Sequence, residues 1–415
     1  MIFKNLFNSL QEWEQPLFGT FSQNTASGES VYGKNALDVG AVYAAVTVKA
    51  NAVAKLPLQV FRKTESGRER DKSHIATQLL EKRPNPYQTP FVFKYTLTVH
   101  RNLWGKAYVH MVFNQKGKLQ ALNLLEPSKV QEVIDDNDDL WFIYSDKGVI
   151  KKLHHTEVIY LPYGPGGKSP IEVARETAGT MKAATKFMGG FYKNGTTAKG
   201  ALKIPGQLDK SAKRKVREAW SEMNSGMENA NSIAILDAGM EWVDMSMPLK
   251  DAEFIASQKF NISEIARIFN VPLHKLAEMD RATFSNIEQQ SMEFIGDTIQ
   301  PELVSIEEEI NYKLFTTSEQ KRYYVKFNTN SAMRADSAGR ATYYREMLST
   351  GAYSINQVLD LEDMDGIGVH GDGHRVDLNH ISIEIADEYQ LSKAKSGLKG
   401  GGKDEEQVHA NKESN

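Results

Sequence analysis

Between Met292 and Leu314 the apolar residues Met292, Ile295, Ile299, Leu303, Ile306, Ile310 and Leu314 recur at steps of three and four. That spacing lays all seven on one helical face, so the run commits the chain to a long amphipathic helix whose stripe must be covered. Pro301 predicts a kink within it. Glu302, Glu307, Glu308 and Glu309 fall away from the stripe, as on a solvated face. Upstream, Asn261 stands three residues before Glu264, a capping-box-like helix start. That earlier helix stops at Asn270, because Val271-Pro272 brings the pre-proline restriction and a missing amide. The whole stretch 249–315 holds no catalytic constellation. It reads as architecture.

At 415 residues the chain is long enough for two or three domains, and its 40% hydrophobic and 25% charged residues are those of a globular protein. It has no cysteine, which excludes disulfides and thiolate zinc sites and fits assembly in a reducing cytosol. Phe3, Leu6, Phe7, Leu10 and Trp13 give residues 1–35 a short helical arm, followed by the Ser/Gly/Asn-rich linker SQNTASGESVYGKN. The arm lacks the apolar core and cleavage site of a secretory signal. No apolar run approaches the roughly 20 residues that span a bilayer.

A net charge of −3 is wrong for a freestanding DNA-coating protein. The charge is uneven, however. Lys168–Glu218 holds twelve Lys/Arg against four Asp/Glu, so one segment is fit to face a polyanion while the rest avoids it. Within the helix expected over 170–193, Arg175, Lys182, Lys186 and Lys193 are spaced seven, four and seven apart. At 100° per residue they lie within about 40° of one another, a straight cationic stripe. Ala174, Ala178, Met181, Ala184 and Met188 form a separate face. Basic residues continue through Lys199 into a helix over 209–223 that carries Lys213, Arg214, Lys215 and Arg217.

Elsewhere the pattern alternates short helices and strands. A helix rich in small apolar residues is expected over 36–56, then a strand LPLQVFRK and a polar turn ESGRERDKS. A helix over HIATQLLEKR is closed by Pro84 and Pro86, and another runs to about Trp104. A hairpin follows, turning at Lys116-Gly117, then strands in VQEVIDD, LWFIYSD and EVIYLP. GALKIP and SIAILD with helix 209–223 make a small inserted α/β module. A helix from about Asp336 to Ser349, a stop at Gly351 and a helix in SINQVLDLE come next. From about Lys393 the composition predicts disorder.

Three motifs invite other functions. YGPGGKSP resembles a phosphate loop, but the position that should hold its first glycine is Pro162. A helix started by Ser169 and Pro170 accounts for it better. HGDGHRVDLNH offers His370, Asp372, His374, Asp377 and His380 as metal ligands, but Gly371 and Gly373 make it a polar loop without a recognised zinc spacing. ISEIARIFNVPLHKLAEM has the outline of a helix-turn-helix, with Ala266 at the small-residue position. Its second helix offers Leu273, His274, Lys275, Leu276 and Glu278, a poor set for reading bases. A metal- or nucleotide-dependent DNA-processing enzyme and a helix-turn-helix regulator are therefore the alternatives to a non-catalytic role.

The order of the segments decides between them. AVYAAVTVKANAVAKLPLQVFRK, LLEKRPNPYQTPFVFKYTLTVHRNLWGKAYV, GGKSPIEVARETAG, FMGGFYKNGTTAKGAL and EIARIFNVPLHKL follow one another. RATFSNIEQQSMEFIGDTIQPELVSIEEEINYKL, FNTNSAMRADSAGRATYYREMLSTGAYSINQVLDLEDMDGI and GDGH complete the series. In that order the chain resembles the portal proteins of tailed bacteriophages, in the branch common among siphovirus-type phages and prophages, over residues 36–375.

The resemblance implies an α+β, multi-region fold and no catalysis, cofactor or metal. It implies a homo-oligomeric ring of about twelve chains at one capsid vertex. Double-stranded DNA passes through its channel into the procapsid and out again, driven by a separate terminase. By the same resemblance, residues 36–167 with 285–330 form a wing that includes the long helix 285–315, and 331–383 form a crown. Helices 168–194 and 249–270 form a stem, 195–248 a clip, 271–285 a tunnel loop and 384–415 the tail. The partners implied are the terminase large subunit, a head-tail adaptor and the capsid or scaffold protein, with no membrane; the virion is the implied location, after assembly in host cytoplasm. In this setting Arg175, Lys182, Lys186, Lys193 and Lys199 are candidates for the channel wall. His274, Lys275 and Arg281 are candidates for the tunnel loop, and Lys213, Arg214, Lys215 and Arg217 for the docking surface of the clip. Contacts to phosphates rather than bases suit a channel that must pass any sequence.

Overall fold

The structure, a computed structural model, describes residues 25–65, 67–193, 200–204, 209–224, 239–244, 251–276, 290–329, 337–362, 364–374 and 391–392. The arm over 1–24, the strand expected in SIAILD and the tail beyond 393 lie outside them. The chain divides into two compact units, Met1–Thr329 and Asn330–Asn415.

The first unit is built on two packed helices. Helix α1 (Gly40–Ala54) is mostly Ala and Val, and Val42, Ala45, Val46, Ala50 and Val53 are buried. Such small side chains let a second helix come close. That helix is α2 (Pro90–Trp104), which starts with Pro90 behind a Thr89 cap whose hydroxyl accepts from Val92 N at 3.3 Å. It ends at Gly105, in the left-handed region at φ 71°. Between them run β1 (Leu58–Thr64) and β2 (Gly67–Arg70). The polar turn expected at ESGRERDKS is thus partly a strand. All four β2 residues are exposed, so no apolar alternation announced it. The helix expected at HIATQLLEKR is one α-turn, Ile75–Thr77, opening into a wider π-turn, Gln78–Lys82.

Two antiparallel sheets follow. Strands β3 (Lys106–Phe113), β4 (Leu119–Leu125) and β8 (Val158–Pro162) pair in the order β4-β3-β8. Strands β5 (Val130–Ile134), β6 (Leu140–Asp146) and β7 (Val149–His154) pair in the order β5-β6-β7. Tyr108, Leu125, Phe142, Leu153 and Val158 form the core they share. Glu132 enters its edge, accepting from Tyr108 Oη at 2.7 Å and Lys106 Nζ at 2.8 Å. Burial and that carboxylate push the Tyr108 hydroxyl far above its ordinary range.

The helix expected over 170–193 is interrupted at Ala174: a turn, Pro170–Val173, capped by Ser169, precedes α3 (Arg175–Lys193). Strands β9 (Gly200–Lys203) and β10 (Glu241–Asp244) pair with each other, and α4 (Lys210–Asn224) lies between them in sequence. Helix α5 (Asp251–Phe269) packs on α1 and α3. It stops where expected. Asn270 takes φ 52°, and Val271 N donates back to Ala266 O at 2.8 Å.

The long helix departs from expectation in three respects. The stretch is not one regular helix: a π-turn, Phe294–Ile299, precedes α6 (Gln300–Leu314), in which Pro301 is near the start. Proline lacks the amide and its ring crowds the carbonyl four residues back, so the ladder widens there. Met292 is exposed, and the stripe is buried only from Ile299 through Leu303, Ile306 and Ile310. Glu302 is not solvated but buried, and burial raises the carboxyls of Glu307 and Glu309 above their usual range. Strand β11 (Tyr323–Phe327) then returns to pair with β1.

In the second unit, α7 (Ser337–Ser349) and α8 (Ile355–Leu361) are joined through a capping box, in which Ser354 Oγ accepts from Gln357 N. Arg340 reaches both oxygens of Glu362 at 2.8 Å.

Candidate nucleic-acid interface

Helix α3 forms because its Ala and Met residues make one face to bury and its cations another. Ala174 and Ala178 are fully buried, and Met181, Ala184 and Met188 are partly so. The cationic stripe lies elsewhere, and it is not bare. Lys186 Nζ donates to both carboxylate oxygens of Glu29, each at 2.7 Å. Lys182 Nζ stands 3.5 Å from Asp38 Oδ2 and 3.5 Å from Ser30 O. Nearly two turns before Lys182, Ala26 N donates to Glu176 Oε2 at 3.0 Å. Residues expected to be part of a linker are therefore clasped to the stripe. Arg175 is half-buried at its start. Lys193 ends the helix, with its side chain outside the described residues, and Lys199 lies outside them entirely.

Lys213, Arg214, Lys215 and Arg217 on α4 are all exposed. Arg214 has Glu218 one turn on, 3.8 Å away. Exposed pairs of this kind contribute about 0.3–0.5 kcal/mol, so the helix presents its cations nearly unopposed.

After Asn270 the chain enters a 3-10 turn, Leu273–Leu276. His274 Nδ1 donates to Gln290 Oε1 at 2.9 Å, and Lys275 Nζ stands 5.4 Å from the centre of the Phe294 ring. Burial, with Lys55 nearby, lowers the Lys275 ammonium below the usual lysine range. These two side chains are tied to the start of the long helix. Arg281 lies outside the described residues.

The competing motifs are occupied by structure. The loop at Gly164–Lys168 is packed against Gly105, where a Cβ would run into Gly167 O. Ser169 caps the following turn, its Oγ accepting from Glu172 N at 3.1 Å. In HGDGH, Asp372 Oδ1 accepts from Asn356 Nδ2 at 2.7 Å and His374 Nδ1 donates to Gly351 O at 2.8 Å. Asp377 and His380 lie outside the described residues.

One cluster escaped the sequence reading. Asp139, His154 and His155 bring ligand-type atoms within 4.8 Å of one another. Lys313 already places its ammonium 3.3 Å from His155 Nδ1 and 2.7 Å from His155 O, and a second cation there would be repelled. No spacing rule could have found it, because Asp139 lies in the turn before β6, while His154 ends β7 and His155 opens the 3-10 turn after it.

Residues 40–363 match the family described as phage portal protein. The chain belongs to that family. Its relatives include the probable portal protein of Streptomyces phage phiC31, 29% identical over 396 residues that cover 88% of this chain and 84% of the relative. The portal protein of Enterobacteria phage HK97 is 27% identical over 344 residues, 81% of each. Among solved structures, the HK97 family phage portal protein from Corynebacterium diphtheriae aligns with a TM-score of 0.57 at 18% identity. That alignment covers 74% of this chain and 99% of the other. A chain from the virion of a native gene transfer agent particle aligns with a TM-score of 0.55 at 18% identity, covering 88% and 99%. The expected α+β portal fold is therefore the fold observed. Among the described residues no helix is long and apolar enough to cross a membrane.

Proposed function

We propose that this portal-family chain assembles into a ring whose central channel conducts double-stranded DNA into and out of a capsid, and that it works by electrostatics and shape, without catalysis. The observation that carries this reading is the portal-family match across residues 40–363, with the cation-rich segment Lys168–Glu218 that runs through α3 into α4. A ring of about twelve chains is supported by a solved relative, the neck of a native gene transfer agent particle computed with C12 symmetry, which aligns with a TM-score of 0.53. Repeating a modest cationic segment around such a ring turns it into a continuous positive band.

In this assignment 36–167 with 285–330 is the wing, 168–194 and 249–270 the stem, 195–248 the clip, 271–285 the tunnel loop and 331–383 the crown. Arg175, Lys182, Lys186, Lys193 and Lys199 supply charge along the channel, and His274, Lys275 and Arg281 supply it at the constriction. The exposed Lys213, Arg214, Lys215 and Arg217 form the face on which a terminase large subunit and a head-tail adaptor dock. The ring is built in host cytoplasm with the capsid or scaffold protein and ends in the virion.

Sizing and negative-stain images of the purified chain test the ring. Twelve chains of 46.6 kDa run at roughly half a megadalton. Particles without a central hole in every preparation would sink the proposal. Neutralising Lys182, Lys186 and Lys193 together is expected to lower DNA packaging more than ring assembly. Loss of assembly first would make the stripe an interface.

A further inference from the structure

The cations of α3 are held by a segment that the channel reading does not use. Residues 25–29 form a compact turn. Gly28 takes φ 80°, and Thr25 Oγ1 and Thr25 N both donate to Glu29 O at 2.9 Å. Thr25 is 6% exposed and seats on Gly179, where any Cβ would meet the Thr25 side chain at 2.5–2.8 Å. At the other end Val31 and Ala36 are buried, and Gly33 lies against the Trp104 indole. Thr25 and the stretch from Val31 to Ala36 are anchored by packing; Glu29 between them faces Lys186, and Asp38, just past Ala36, faces Lys182.

A carboxylate and a phosphate are alternative charged acceptors for one ammonium group. Lys182 is 18% exposed under this segment, while Lys186 is 63% exposed and within reach of solvent. Each pair keeps one partner open to solvent, Asp38 at 65% and Lys186 at 63%, so salt screens the pairs and a dense row of phosphates can displace them. We propose that residues 25–38 are an acidic strap that competes with the DNA backbone for the ammonium groups of Lys182 and Lys186. The strap keeps the helix from gripping DNA until it lifts. This rests on the channel reading of the family, and it assigns the strap a role that reading does not contain.

The test uses assembled rings of the full chain and mixed-sequence double-stranded DNA, with binding followed across a salt series. Glu29→Gln with Asp38→Asn removes the competing charge. Gly179→Ala alters no charge, yet wedges Thr25 off its seat. Both variants are expected to bind more tightly than wild type. Their slope of log affinity against log salt should steepen by up to about 1.8 per engaged subunit, two freed ammonium groups at about 0.9 each. Adding Lys182→Gln and Lys186→Gln should cancel the gain. Affinity and slope equal to wild type in both variants, with faster amide exchange at Ala26 and Gly28 showing the strap released, overturn the proposal. Failure of the channel reading has a different signature: well-formed rings, wild type included, that bind no DNA even at low salt.

Discussion

Lys49 Nζ lies 3.6 Å from Glu302 Oε2, and both side chains are almost completely buried, at 1% and 5% exposure. The pair ties α1 to α6, across more than half the chain. Arg101 completes the group, 3.8 Å from Glu302 Oε1 and donating to Pro162 O at 3.0 Å. Lys49 also donates to Tyr163 Oη at 2.9 Å. Two buried cations thus share one carboxylate, and the loss of each member has a different consequence. Glu302→Leu leaves two uncompensated charges in the interior and is expected to destabilise the fold by about 3–5 kcal/mol. Lys49→Met leaves a balanced Arg101–Glu302 pair and should cost far less. Chemical denaturation of the two variants compares them; equal losses would mean that the cluster is not electrostatically coupled.

Gly105 is constrained by space as well as by φ. Its Cβ would collide with Gly167 O, so Gly105→Ala must move either the end of α2 or the 164–168 loop. Gly117 has nearly the same φ, 71°, but open space around it. Gly117→Ala should therefore show only the backbone penalty, about 1 kcal/mol, while Gly105→Ala should lose several times more. Melting temperatures of the two variants decide this.

Lys94 in α2 is buried and donates to Leu56 O, with no acidic partner among the described residues. Burial pushes its ammonium down to about 8 from the ordinary 10.5. Between pH 8 and 10 the folded chain releases this proton while the unfolded chain keeps it, so stability rises with pH through that window. Relative to Lys94→Met, the wild type should gain up to about 1.4 kcal/mol per pH unit there. Parallel pH dependences for the two proteins would show that Lys94 stays charged in the fold.

The exposed cations of α4 carry the docking proposal. Changing Lys213, Arg214, Lys215 and Arg217 to Gln should leave stability within about 0.5 kcal/mol, because the side chains are exposed. Ring size should stay the same and packaging in a reconstituted terminase reaction should fall. Normal packaging by such rings would move the docking surface elsewhere.

Much of the fold was legible because its signals are local. Thr89-Pro90 before α2, Gly105 after it, Ser354 before α8 and Asn270-Val271-Pro272 after α5 each act within a few residues. Strand β2 was not legible, since a four-residue edge strand with every side chain exposed has no buried face to produce an alternation. The spacing of the cations along α3 was legible. Their acidic partners were not, because Glu29 and Asp38 stand 157 and 144 residues from the lysines they meet.

The sequence alone determined where α2 and α5 end, which residues share a face, and that α3 carries a row of cations, because prolines, turns and a period of 3.6 act along the chain. Only the tertiary structure decided what each face meets. Glu302 sits off the apolar stripe of α6 by spacing, yet it is buried because α1 and α2 close over it with Lys49 and Arg101. Lys182 and Lys186 belong to a solvated face by spacing, yet the strap covers the first and pairs with the second. Periodicity assigns a residue its direction. Burial and charge pairing depend on what the rest of the chain brings to that side.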